Sequence, residues 1–302
     1  MIELLNVNKR YGDRRALENI DLHIDEGICF GLIGPNGAGK STLMKILSSI
    51  LEDFEGDVSL FNQPLRKDKT AIQRRIGYVP QDICLEEKLT AIDNLSFFGR
   101  IYGLKGKQLK KRMDEVLKKV GLFDRRKDPV TNFSGGMKRR MNISCALLHD
   151  PDLIILDEPT VGVDPQSRNH IFDIINDLKS EGKTVLYSSH YMEEVENLCD
   201  KIALIDQGQI VESGTVREIL VKYATPSIFV QGTGVKKEDL KQFGEVSDVK
   251  EGYKIDTNEP LQVIDDIADL LLKKEAQVER LEITKQSLED IFLSLTGSSL
   301  RD

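Results

Sequence analysis

No stretch of the 302-residue chain approaches the roughly 18 consecutive apolar residues that cross a bilayer, so a helical membrane span is not expected. The opening Met1-Ile-Glu-Leu-Leu-Asn6 carries neither a basic segment nor a long apolar core, and no secretory leader is read there. Cysteine is scarce: Cys29, Cys84, Cys145 and Cys199 are far apart and form no Cys-x-x-Cys pair. That spacing argues against a zinc site or a disulfide framework, and for reduced core thiols in the cytoplasm. No internal repeat, coiled coil or low-complexity linker is visible. The net charge of -8 speaks against a nucleic-acid carrier, and no nucleic-acid partner is expected. The charge is unevenly spread, with 14 Lys/Arg against 4 Asp/Glu from Arg100 to Arg140. Such a stretch is read as solvated helix faces, or as a surface held near anionic headgroups or a partner.

The strongest positive signal is Gly34-Pro35-Asn36-Gly37-Ala38-Gly39-Lys40-Ser41-Thr42. It fits the phosphate-loop spacing of glycine, four residues, then Gly-Lys-Ser. Its glycines let successive N–H groups curl around phosphate oxygens. Lys40 supplies a point charge for the outer phosphates, and the Ser41 hydroxyl suits Mg2+. The apolar run Ile28–Ile33 reads as a buried strand entering the loop. Residues 41–50 read as a helix leaving it, with its N-terminus toward the anion.

Strands are predicted at 1–8 and 20–33, with a turn at Lys9–Asp13 between them, and at 58–61 and 76–79. The pattern becomes helical from about 86 to 149, with helices over 90–102, where Thr90 and Asp93 form a cap pair, and 107–120. A strand at 152–156, a helix at 165–180, a strand at 183–187, a helix at 191–199 and a strand at 201–205 follow. This alternation predicts an α/β core, doubly wound, with the helical stretch as an inserted subdomain. A boundary near Tyr223–Pro226 separates a larger unit, 1–222, from an accessory α+β module, 223–302. Its order of strand, helix, two strands, helix, strand and final helix suggests a ferredoxin-like fold.

Four more features narrow the chemistry. Leu153–Leu156 is an apolar strand that delivers Asp157 and Glu158 to the ligand edge of a sheet. Asp157 suits the Mg2+ shell, and Glu158 can accept a proton from attacking water. Ser134-Gly135-Gly136 opens a second helix whose start is another anion site. Gln81, between a strand and the helical insertion, can ligate Mg2+ through its carbonyl. His190, after Ser188-Ser189, stands at a strand end where it can meet a terminal phosphate or orient water.

In this order, ending with Val161-Gly-Val-Asp164 and His190, these motifs resemble the ATP-binding-cassette (ABC) ATPase family over residues 1–220. The resemblance implies a P-loop NTPase core with ATP and Mg2+ as cofactors, and Tyr11 stacked on adenine. It implies that Asn36 to Thr42 wrap the phosphates. Ser134, Gly135 and Gly136 would then act on nucleotide held by a second copy, with Asp164 at the seam between copies. The usual Leu-Ser-Gly-Gly-Gln signature is changed here by Phe133 and Met137, and Val163 replaces the usual leucine before Asp164. The phosphate-facing Ser and Gly groups are intact. The tail from Gln286 to Gly297 resembles the closing segment of ABC-2-type exporter ATPases. That implies a cytoplasmic subunit, peripheral on the inner face of the membrane, that energises a separate permease. Other cassette roles, on ribosomes or DNA or in a sensor, imply two cassettes in one chain, a coiled coil or a different readout. The first two features are absent here.

Overall fold

Alternating apolar residues along the first 24 positions pair as a hairpin of β1 (Ile2–Tyr11) and β2 (Arg14–Ile24). The computed structural model describes residues 1–223, 226–284 and 287–297. The turn expected at Lys9–Asp13 shrinks to Gly12-Asp13. Lys9 stays in the strand because its stem is buried while its ammonium reaches Asp53 at 2.8 Å. The run expected as one strand over 20–33 is two, because the polar turn Asp25-Glu26-Gly27 ends β2 before β3 (Cys29–Ile33). The chain continues through α1 (Lys40–Leu47), β4 (Glu55–Leu60), β5 (Gln63–Pro64), α2 (Lys69–Gln73) and β6 (Ile76–Val79). The helical insertion supplies α3 (Ala91–Ile101), α4 (Gly106–Lys119) and α5 (Gly135–Leu147). Then come β7 (Leu153–Asp157), α6 (Pro165–Ser180), β8 (Thr184–Ser189), α7 (Met192–Leu198), β9 (Lys201–Asp206) and β10 (Gln209–Thr215).

Two sheets carry this unit. One is antiparallel, ordered β2-β1-β4-β5; the other is ordered β10-β9-β3-β8-β7-β6 and is parallel except for β10. The parallel strands are apolar on both faces because both faces are covered; every residue of β3, β7 and β8 is buried. This parallel order places the C-terminal ends of β3, β6, β7 and β8 along one edge, from which the loop after each strand emerges. The insertion is started by a capping box, in which Thr90 and Asp93 bond each other's backbone N–H.

The contacts divide the chain at Val216/Arg217, six residues before the expected 222/223 boundary, because α8 (Val216–Tyr223) belongs almost wholly to the second unit. That unit holds β11 (Ser227–Thr233), α9 (Lys237–Leu240), β12 (Glu245–Val249), β13 (Gly252–Asp256), α10 (Pro260–Lys273), β14 (Gln277–Thr284) and α11 (Leu288–Thr296). Its sheet is antiparallel in the order β12-β13-β11-β14. Ile228, Val230, Ile255, Ile267 and Leu271 form its core. Ala224 and Thr225, within the expected boundary, and Gln286, at the start of the exporter-like tail, lie outside the described residues.

One buried contact ties the insertion to the strand before Gln81. His149 donates from Nε2 to the Ile76 carbonyl at 2.9 Å and stacks on Tyr102 at 3.7 Å. Burial pulls the imidazole pKa down to about 4, and among the described residues its Nδ1 has no acceptor for a second proton. The folded value lies below the unfolded one, near 6.5, so the unfolded chain binds the proton more readily. The stabilisation from neutral His149 is full above pH 6.5 and is lost as pH falls toward 4. Between those limits the wild type is expected to lose about 1–3 kcal/mol more stability than His149→Gln, measured by denaturant melts at each pH. Parallel pH curves would contradict this.

Candidate functional site

The phosphate loop runs from the end of β3 to the start of α1. Gly39 sits at φ 113°, and a Cβ there would lie 2.6 Å from the Ala16 carbonyl oxygen. Only glycine lets the loop turn so close to β2 and leave the N-terminal N–H groups of α1 without a side-chain cap. Lys40, 4% exposed, donates to the carbonyls of Gly34 (2.7 Å) and Pro35 (3.2 Å), and its ammonium lies 3.1 Å from Glu158 Oε1. The loop is braced from within by Ala38 N–H on the Pro35 carbonyl, and from outside by Gly208 N–H on the Ala38 carbonyl.

The carboxylates arrive on β7. Asp157 Oδ1 accepts from Ser41 Oγ at 3.1 Å and from Ser188 Oγ at 2.9 Å. Its Oδ2 faces the Tyr78 hydroxyl at 3.5 Å. Burial, reinforced by the Asp157 charge, pushes the Tyr78 phenol pKa up, so it remains a neutral donor. Glu158 takes a left-handed backbone (φ 48°), and its N–H donates to Ser188 Oγ at 2.9 Å. A non-glycine residue in that region is strained by roughly 1 kcal/mol or more, a common price of aiming a functional side chain. His190 Nδ1 stands 3.4 Å from Glu158 Oε2.

A cavity of about 400 Å³ opens beside these groups, lined by Tyr11, Arg14, Ala16, Asn36, Gly37, Gly39, Lys40, Ser41, Thr42, Gln81 and Glu158. Tyr11, the last residue of β1, keeps its ring 48% exposed at the rim, with Lys9 Nζ 4.8 Å from the ring centroid. An accessible aromatic, an anion-binding loop and a carboxylate thus share one opening. Ser41 and Asp157 offer adjacent oxygens, and Gln81 lines the same cavity as Ser41, an oxygen donor set with one carboxylate that suits Mg2+, whose shell phosphate and water would complete.

A second cluster forms elsewhere on the unit. Ser134 caps α5, its hydroxyl accepting from Met137 N–H at 3.3 Å. Gly135 is exposed beside it, and a Cβ on Gly136 would lie 2.1 Å from Ser167 Oγ, so glycine lets α5 close on α6. Asp164 caps α6, accepting from Ser167 N–H at 2.9 Å, and that hydrogen bond holds its carboxyl below the usual carboxylate range. None of Ser134, Gly135, Gly136 and Asp164 lines the 400 Å³ cavity. Phe133, at the usual leucine position, is 5% exposed and packs inward, so that substitution keeps an apolar anchor.

Sequence reasoning missed Arg14 and Ala16 on the cavity wall, Tyr78 on Asp157 and the double role of Ser188. It placed Ser188 and Ser189 after a strand, whereas β8 runs through both. Their burial keeps them in the strand: Ser188 is 0% and Ser189 2% exposed. The alternation of β6, with Tyr78 opposite in phase to Val79, was the available signal for Tyr78.

A P-loop beside paired strand-end carboxylates, with a separate Ser-Gly-Gly helix cap, defines an ATPase of the cassette class. A family model described as ABC transporter matches residues 17–161, and one described as ATP-binding protein DrrA1-3-like, C-terminal domain, matches residues 214–296. The linearmycin resistance ATP-binding protein LnrL of Bacillus subtilis (strain 168) is 40% identical, over 100% of both chains. A Nod factor export ATP-binding protein I of Cupriavidus metallidurans is 36% identical, over 100% of this chain and 99% of that one. A solved dimer of the ATP-binding cassette MJ0796, in a post-hydrolysis state with ADP and Pi, superposes with TM-score 0.65 at 28% identity, covering 71% of this chain and 98% of that one. The protein belongs to the ABC transporter ATP-binding family and is an ABC ATPase.

Proposed function

We propose that this chain is the ATP-hydrolysing subunit that energises a separate membrane permease of the ABC-2 export type. The observation that carries the reading is end-to-end similarity to export and resistance ATP-binding proteins, including the C-terminal module. In this reading Tyr11 stacks on adenine, and Gly34 to Thr42 hold the phosphates. Ser41, Asp157 and Gln81 hold Mg2+, which screens the phosphate charge. Glu158 activates water, with His190 beside it at the terminal phosphate. Ser134, Gly135, Gly136 and Asp164 close over nucleotide bound by a second copy, which accounts for a second anion-binding cluster outside the first cavity. The second unit serves as an accessory α+β domain of ferredoxin-like order.

No described helix is long and apolar enough to cross a membrane. The helical insertion offers the permease a docking face. On α3, Phe97 and Ile101, four residues apart and so on one side, are 60% and 64% exposed, and Leu89 just before that helix is 42% exposed. Exposed aromatic and aliphatic side chains grouped this way suit a partner surface. We place the assembly on the cytoplasmic face of the membrane. Pull-down from gently solubilised membranes should recover one polytopic protein in matching amount, identified by mass spectrometry. Phe97→Asp with Ile101→Asp should lose that partner by at least about tenfold while basal ATP turnover stays within about twofold. Recovery of ribosomal or DNA-bound proteins without a membrane partner would overturn the proposal.

A further inference from the structure

A buried carboxylate that the reading above leaves unused lies between the two loops that flank Glu158. Glu194, on α7, is 4% exposed. Its Oε2 accepts from three hydroxyls: Tyr187 at 2.7 Å, Thr160 at 2.8 Å and Ser189 at 3.1 Å. Its other oxygen makes no hydrogen bond among the described residues and faces the Arg168 guanidinium on α6 at 3.5 Å. A buried carboxylate is expensive unless paired, so a site that gathers three donors and a cation around one oxygen pair is built rather than incidental.

The donors come from segments that matter. Thr160 lies two residues after Glu158, at the root of the loop that ends in Asp164. Ser189 directly precedes His190, and it accepts from Tyr191 N–H at 2.9 Å while donating to Glu194. Glu194 therefore holds both sides of the His190 turn and the first residues of the Asp164 loop through one anchor. Thr160 Oγ and the Tyr187 hydroxyl are also 3.2 Å apart, closing the network. Burial and the Glu194 charge push the Tyr187 phenol pKa well up, which keeps it a donor.

We propose that Glu194 is a positioning residue for ATP hydrolysis, fixing the Glu158–Asp164 loop and the His190 turn relative to each other. It does not line the cavity beside the phosphate loop, and its hydrogen bonds go to Thr160, Tyr187 and Ser189 rather than to the lysine loop. Its loss should therefore lower turnover while leaving ATP affinity in place. Small misplacements of reacting groups reduce rates by up to about 100-fold, and a loosened anchor falls within that range.

The test compares Glu194→Ala, Glu194→Gln and Thr160→Val in the full chain. Turnover is read as kcat and nucleotide affinity as the Kd of a fluorescent ATP analogue. Glu194→Ala should reduce kcat about tenfold or more with Kd changed less than about threefold. Glu194→Gln retains an acceptor oxygen of the same reach and should recover most of kcat. Thr160→Val removes a single hydroxyl at nearly constant volume and should lower kcat several-fold on its own. In the double variant with Glu194→Ala its further effect should vanish, since the two act through one bond. An unchanged kcat in Glu194→Ala and in Thr160→Val overturns the proposal. So does a fall in kcat matched by an equal loss of affinity, or additive effects in the double variant. If Glu194→Ala does not fold, Thr160→Val and Glu194→Gln carry the decision.

Discussion

Glu158→Gln is expected to bind ATP as tightly as the wild type and to hydrolyse it at least about 100-fold more slowly. A positioned general base contributes roughly 10²–10⁴ to such a step, and the amide cannot take up the water's proton. Geometry supports a small structural effect. Glu158 is anchored through its backbone N–H to Ser188 Oγ, which the substitution leaves alone, and glutamine is nearly isosteric. Lys40 loses the opposite charge beside it but keeps the Gly34 and Pro35 carbonyls and the amide oxygen as acceptors, so the cost in stability should be smaller than when Lys40 itself is removed and Glu158 is stranded. Steady-state phosphate release and equilibrium ATP binding would be measured side by side. Retention of more than a tenth of wild-type turnover would remove Glu158 from the role of base.

Lys40→Ala should be the more drastic change, because it acts on both binding and folding. Lys40 and Glu158 are a buried pair 3.1 Å apart, at 4% and 6% side-chain exposure. Removing one partner of such a pair typically destabilises by about 3–5 kcal/mol, since the other charge is left without compensation. The variant should therefore melt lower and lose ATP affinity by about 100-fold or more. These two losses are separable. Adding Glu158→Gln to Lys40→Ala removes the stranded charge and should restore most of the stability while ATP affinity stays lost. If the double variant regained ATP binding, the first defect would have been one of folding, and the phosphate role of Lys40 would fail.

Much of the architecture was legible because local chemistry and global packing agree. Pro165 at a helix start, with Asp164 before it, fixed α6 over Pro165–Ser180 as read. Thr90 and Asp93 announced the start of α3 through their spacing. The buried strands β3 and β7 stood out as continuous apolar runs bounded by glycine or by acids. The misreadings share a cause. Lys9 looks like a turn residue, and its burial depends on Asp53, 44 positions away. Ser188 and Ser189 look like loop residues until Asp157 and Glu194 supply acceptors for their hydroxyls. The Lys9–Asp53 and Ser188–Asp157 pairings are long-range, which periodicity cannot report. At the site, the phosphate-loop and carboxylate motifs were readable as contiguous text. Arg14, Tyr78 and Glu194 were not, because their roles exist only where separate strands and helices meet.

The separation of Ser134, Gly135, Gly136 and Asp164 from the lysine cavity is the geometric reason for placing nucleotide between two copies. The most direct test is the mass in solution of Glu158→Gln, by size exclusion with light scattering, with and without Mg2+ and ATP. Closure driven by ATP, with hydrolysis blocked, should give twice the mass of a single chain with nucleotide and a single-chain mass without it. Addition of Ser134→Arg, which fills the helix cap with bulk and charge, should return the mass to one chain while ATP remains bound. A monomer at saturating ATP, with bound nucleotide demonstrated, would contradict the two-copy site.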